Sequence, residues 1–192
     1  MANIAIFASG SGSNFEALAT SFKGDKKNEV KLLICNKKNA YVIERAKNHN
    51  IKCELINYLQ DGQLLVEKKV TDIIKHNKID VIFLAGFMRV LSAKFIKDVG
   101  IPIINIHPSL LPKHKGSDAI KKAYDAGDKE IGISIHHVSE EVDGVEIILQ
   151  ESIPLEKEKG LDFIESEVHK LEHLYYPQIA KQICEEINSK RN

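Results

Sequence analysis

The 192-residue chain carries no excess charge of either sign, few cysteines and no long apolar run. Lys and Arg number 27 and Asp and Glu number 27, so no global field draws it onto a polyanion or an anionic membrane. A nucleic-acid-binding or membrane role is therefore not expected. The longest unbroken apolar run near the centre, Val81 to Ala85, falls far short of the ~20 residues of a transmembrane helix. Met1-Ala2-Asn3 leads straight into Ile4-Ala5-Ile6-Phe7 with no basic segment ahead, so a cytoplasmic protein without a secretion signal is expected. Cys35, Cys53 and Cys184 are too far apart for CxxC or Cys/His ligand spacing. Reduced thiols and no metal are the expectation.

Hydrophobic content of 43% and charged content of 28% are ordinary for a globular protein. Short aliphatic runs alternate with helical patterns through the first half. Strands are expected at Asn3–Ala8, Val30–Cys35, Cys53–Ile56, Asp80–Ala85 and Pro102–Ile106, and helices at Asn14–Phe22, Ala40–His49, Gly62–His76 and Ser92–Asp98. Such alternation with short connections implies right-handed βαβ units and a parallel sheet covered on both faces. After residue 116 the pattern changes to a short helix (Asp118–Ala126), two strands (Gly132–Val138 and Glu146–Ile153) around an acidic loop, and a helix from Gly160 to about Ile187. The short connection between the two strands implies an antiparallel hairpin, and Pro177 should kink or interrupt the last helix. The expected fold is α/β: one domain over 1–192 with an open twisted sheet, mostly parallel and Rossmann-like, then a C-terminal antiparallel hairpin and a long C-terminal helix.

Four segments could carry chemistry. In Asn105-Ile106-His107-Pro108, period-2 alternation puts Asn105 and His107 on one strand face, and Pro108 ends the ladder. An amide beside an imidazole at a strand tip suits oxyanion stabilisation with proton transfer. Taken alone, a His-Pro pair after a strand is more often an ordinary turn. Ser9-Gly10-Ser11-Gly12-Ser13-Asn14 joins the first strand to the first helix. Phe15 replaces the third glycine of GxGxxG and Asn36-Lys37-Lys38 replaces the acidic residue expected after the second strand, which disfavours a dinucleotide. A single phosphate on the amides of Gly12, Ser13 and Asn14 fits better, against the alternative of a plain Gly/Ser turn. Phe87-Met88-Arg89-Val90-Leu91 follows a buried strand and either seals the core or walls a flat heteroaromatic ligand. Ser139-Glu140-Glu141-Val142-Asp143-Gly144 is a solvated tip unless it folds over the sheet, where Asp143 would favour the cationic form of His107.

The run Asn105 to Pro112, reading NIHPSLLP and followed by Lys113-His114-Lys115-Gly116, resembles the signature of the folate-dependent formyltransferases. With Leu84-Ala85-Gly86-Phe87-Met88-Arg89, the acidic loop and the opening Ser/Gly loop, the chain is similar to the branch of that family that formylates phosphoribosylglycinamide in purine biosynthesis. The tRNA-formylating and deformylating branches share the catalytic segment but carry additional domains, for which this sequence shows no pattern.

The resemblance implies a one-carbon transferase that takes the formyl group of 10-formyltetrahydrofolate, its co-substrate, without a metal. It implies catalytic roles for Asn105, His107 and Asp143. It implies ribotide contacts at Gly12, Ser13, Asn14, His169, Lys170, Leu171 and Glu172. A folate pocket is implied along Met88, Arg89, Val90, Leu91, Asn105, Ser139, Glu140, Glu141, Val142 and Asp143. Residues 1–100 would form the phosphate-binding half and 101–192 the catalytic and folate-binding half, in a monomer or homodimer with small-molecule partners only. One departure is expected to matter: Gln63 stands where the family commonly has an Arg for the folate tail, leaving Lys68 or Lys69 as substitutes. Against the enzyme stands a silent mononucleotide- or folate-binding module, which would not need Asn105, His107 and Asp143 together.

Overall fold

A computed structural model describes residues 1–139 and 146–191. Strands and helices alternate as β1 (Ala2–Ala8), α1 (Ser13–Ser21), β2 (Asn28–Cys35), α2 (Val42–Asn48), β3 (Lys52–Leu55), α3 (Tyr58–His76), β4 (Val81–Leu84), α4 (Ala93–Val99) and β5 (Ile103–His107). They are followed by α5 (Ala119–Ala126), β6 (Glu130–His137), β7 (Glu146–Pro154), a 3₁₀ turn (Lys157–Lys159) and α6 (Leu161–Ser189). The sheet order is β3-β2-β1-β4-β5-β6-β7. The first five strands are parallel, and β6 and β7 join antiparallel.

Alternation along each strand feeds two cores. Ile4, Ile6, Leu33, Phe83 and Ile104 pack on the side of α1 and α6. Ala5, Phe7, Leu32, Ile34, Ile82 and Ile103 pack on Val66, Val70 and Ile74 of α3 and Phe95 and Val99 of α4. All four residues of β4 are buried, the pattern of a parallel strand covered on both faces. Tyr176 of α6 is fully buried, and its hydroxyl reaches the carbonyls of Leu84 (2.9 Å) and Ile104 (3.1 Å). It fastens the last helix across β4 and β5. Burial pushes its phenol well above the usual range, so it stays protonated and donates.

Most elements shift from expectation by one or two residues at an end, and three departures have a clear physical reason or bear on the strand tip. α3 begins at Tyr58 because the Asn57 side chain caps it, accepting from the amides of Leu59 and Gln60. Gly62, the expected start, instead breaks that first turn from the rest with φ 73° and ψ 161°. β5 extends through His107, a residue further than expected. α6 is not interrupted at Pro177: buried Tyr176, Ile179 and Ala180 on either side hold the helix across the missing amide hydrogen. Among the described residues no helix is long and apolar enough to cross a membrane.

Candidate active site

Strand order turns at β1 and β4, neighbours from which the chain winds outward in both directions. Crevices beyond the carboxyl ends of such strands bind ligands because helix N-termini and loops converge there. Two of those loops are stitched together. The Ser9 amide donates to the Gly86 carbonyl (3.2 Å), and the Met88 amide donates to Ser9 Oγ (2.8 Å). Ser9 Oγ in turn donates to Asn36 Oδ1 (2.6 Å).

The N-terminus of α1 is bare. Gly12 sits left-handed (φ 78°, ψ 29°) and no side chain caps the helix. The first helical bond runs from the Glu16 amide to the Gly12 carbonyl (2.9 Å), so the amides of Ser13, Asn14 and Phe15 precede any intrahelical acceptor. Asn14 is buried, and its Oδ1 has no hydrogen-bond partner among the described residues. The free amide N–H groups at this positive helix end are suited to an anion; Asn14 Oδ1, an acceptor, is not one of the groups that would hold it. Packing alone requires glycine at position 12. A Cβ there would stand 2.5 Å from Val42 Cγ2, against the start of α2. Gly10 is the open one: a Cβ added there would meet nothing within 4 Å. Arg45 of α2 braces the loop, its Nε donating to the Ser11 carbonyl (3.0 Å) and its other nitrogen pairing with Glu16 (3.0 Å).

Asn105 and His107 share the face of β5 opposite Ile104 and Ile106, both half-buried. Antiparallel pairing sets His136 across from Asn105 and Ser134 across from His107. Asn105 Nδ2 lies 3.1 Å from His136 Nε2, and His136 Nδ1 lies 2.9 Å from the His137 carbonyl. A carbonyl can only accept, so Nδ1 carries the proton and Nε2 accepts from the Asn105 amide. Burial lowers the His136 pKa, against the opposing hydrogen bond to the His137 carbonyl, and keeps this ring neutral. His136 therefore fixes which way Asn105 points. The sequence patterns do not reveal it, nor Ser134, because their positions depend on cross-strand register.

On α6, His169 Nδ1 pairs with Glu172 Oε2 at 2.7 Å, with the carboxylate buried and the ring half exposed. The hydrogen bond to Glu172 raises the His169 pKa. Lys170 pairs with Glu167, and Leu171 packs against the core. Of these four expected ribotide contacts, the structure brings together His169 and Glu172.

In the expected folate wall, Met88 and Val90 are 65% and 88% exposed, large apolar side chains left uncovered. Leu91 is buried, and Val138 packs against the same core. The Arg89 guanidinium lies 5.0 Å over the Tyr58 ring. Gln63 Nε2 donates to the Val90 carbonyl (3.2 Å) and to the buried Glu67 (3.0 Å), whose carboxylate also takes the Ser92 amide (2.9 Å). Lys68 and Lys69 instead line a groove with Lys52, Glu54 and Asp72 against β3, away from the Gln63 contacts. Ser139 is exposed at the end of this wall. Glu140, Glu141, Val142 and Asp143 lie outside the described residues. Among the described residues no group of three or more His, Cys, Asp or Glu is placed to hold a metal ion.

The fold is a doubly wound α/β sheet whose carboxyl edge carries a bare helix N-terminus and an amide–imidazole pair, the setting of a group-transfer enzyme. The chain belongs to the formyl transferase family, whose model matches residues 2–180. It is 40% identical over 187 residues to the phosphoribosylglycinamide formyltransferase of Bacillus subtilis, covering 95% of each chain. The structure of glycinamide ribonucleotide transformylase 1 from Geobacillus kaustophilus superposes with a TM-score of 0.91 at 36% identity, over 96% of this chain and 99% of that one. The phosphoribosylglycinamide formyltransferase of Bacillus halodurans gives a TM-score of 0.86 at 39% identity, over 91% of each.

Proposed function

We propose that this chain transfers the formyl group of 10-formyltetrahydrofolate to the amine of phosphoribosylglycinamide, yielding the N-formyl ribotide and tetrahydrofolate. The observation that carries the reading is the pairing of a bare α1 N-terminus, after β1, with Asn105 and His107 on β5, at the carboxyl ends of two strands that flank β4. The amides of Ser13 and Asn14, at the turn made by Gly12, take the phosphate. Glu172 accepts from ribose hydroxyls, with His169 beside it.

The amine attacks the formyl carbon, a new C–N bond forms and the carbonyl oxygen becomes anionic. Asn105 and His107 donate to that oxygen. As the intermediate collapses, the bond to the folate nitrogen breaks, and the proton lost by the amine ends on that nitrogen. Asp143 is read as the carboxylate that keeps His107 charged. Its loop leaves the sheet where His137 pairs with Glu146 and lies across from Ile104. Asp143 stands three residues before Glu146, about 10 Å of extended chain, which matches the roughly 10 Å along β5 from Ile104 to His107. Met88, Val90 and the acidic loop wall the folate. We read the chain as one domain, monomeric or dimeric, acting in the cytoplasm on small molecules alone.

The test is tetrahydrofolate release from 10-formyltetrahydrofolate with phosphoribosylglycinamide and water as competing acceptors. Release that requires the amine supports the proposal. Equal release without it makes the protein a hydrolase.

A further inference from the structure

The loop after β5 aims His107, and its far end is pinned by a pair of residues outside the crevice. His107 Nε2 lies 3.0 Å from the His114 carbonyl, so Nε2 carries a proton and donates to it. That leaves Nδ1 as the nitrogen that meets a ligand. The carbonyl stands where it does because its own residue is held. His114 has φ 50°, a left-handed backbone uncommon for a residue with a Cβ. A side-chain contact holds the residue: His114 Nε2 lies 2.8 Å from Asp128 Oδ2, with both side chains largely buried. The Lys113 ammonium adds a longer contact to the same carboxylate (3.8 Å). The hydrogen bond from His114 holds the Asp128 carboxyl below its usual range.

The near half of the loop is fixed separately. Ser134 Oγ donates to the Ser109 carbonyl (2.6 Å) and accepts from the Leu111 amide (3.0 Å), while Gln150 Nε2 donates to the Leu111 carbonyl (2.8 Å). The His114 side chain itself is tied to the fold through Asp128.

We propose that Asp128, at the start of the hairpin and acting through His114, is a positioning residue that sets the tautomer and ring orientation of His107. The proposal rests on the formyl-transfer reading for its kinetic consequence, but not for its structural one. The Asp128 carboxylate holds the His114 ring, the ring holds the His114 carbonyl in place, and that carbonyl locks Nε2–H of His107. A misplaced ring costs rate rather than binding, because the ligand contacts at α1 and α6 are elsewhere.

Two variants test it. His114→Gly removes the pinning side chain, keeps the carbonyl and relieves the left-handed backbone. Asp128→Ala removes the anchor alone. Nitrogen-15 spectra of the His107 ring, recorded at a pH where the imidazole is neutral, should show a single Nε2–H tautomer in the parent and a mixture in both variants; in the charged ring Nδ1 also carries a proton and is the donor to the oxyanion. Turnover should fall ~10–100-fold with both Michaelis constants within about twofold, and His114→Gln, which can still donate to Asp128, should restore most of it. Folded variants with an unchanged His107 tautomer would overturn the proposal, whatever the activity. A tautomer shift in a parent protein without transferase activity would leave the positioning role standing and the functional reading refuted.

Discussion

The loop after β1 and the loop after β5 sit on the same side of the sheet and are built on opposite plans. The first is short, ends in an uncapped helix and presents backbone amides. The second is cross-braced by Ser134, Gln150, His114 and Asp128, and presents two side chains from the strand it follows. The difference follows from what each must do. An anion is held by dipoles that the helix provides in a fixed direction. A reacting oxygen must meet side chains whose χ angles are otherwise free, so those side chains need neighbours that hold them. His136 does this for Asn105, and the His114 carbonyl does it for His107.

The comparison predicts that the two loops fail differently. The largest effect is expected at β5: Asn105→Ala should lower kcat by about 10²–10³-fold, the loss seen when one oxyanion donor is removed, with small changes in either Michaelis constant. Steady-state kinetics on both substrates checks it. At α1, Ser13→Asp should act in two opposite senses. A carboxylate in the first helical turn favours the helix dipole, so thermal stability should hold or rise slightly. The same charge should repel the phosphate and raise the ribotide Michaelis constant by roughly tenfold or more, leaving that for folate unchanged. A loss shared between both substrates would erase the distinction between the loops.

Smaller effects separate fastening from function. Tyr176→Phe removes a buried hydroxyl from the carbonyls of Leu84 and Ile104. Denaturant unfolding should report a loss of about 1–3 kcal/mol, with both Michaelis constants unmoved. The smallest is electrostatic. The folded pKa of His169 is raised above 6.5 by Glu172, so the protonated form is favoured in the native state. The resulting stability is complete below the unfolded pKa and disappears as pH rises through the higher folded value. Because the ring is half exposed, the amplitude should be slight. Glu172→Gln should flatten that pH dependence and bring the His169 titration down, as NMR would show.

Much of this arrangement is legible in the chain. Continuous apolar runs mark β1, β2 and β4 because buried parallel strands need no polar face. Pro108 marks the end of β5, and period-2 spacing puts Asn105 beside His107. The first turn of α3 is hidden because Asn57 caps a segment that Gly62 then breaks. The continuity of α6 through Pro177 reflects tertiary packing, which local propensity does not report. His136, Ser134 and Asp128 escape notice in the sequence for a common reason. Each meets its partner through antiparallel register or loop return, from 14 to 31 residues away along the chain. Two neighbouring histidines in a strand, His136-His137, are the available signal, since a strand next to a catalytic tip must place one of them on its face.

The most direct test of the central claim is a double-substitution cycle on Asn105 and His107, measuring kcat for formyl transfer to phosphoribosylglycinamide. If both donate to one oxyanion, Asn105→Ala with His107→Asn should cost little more than the worse single variant, with both Michaelis constants near those of the parent. Losses that simply add, or that appear in the Michaelis constants instead of kcat, would contradict a shared oxyanion site at the tip of β5.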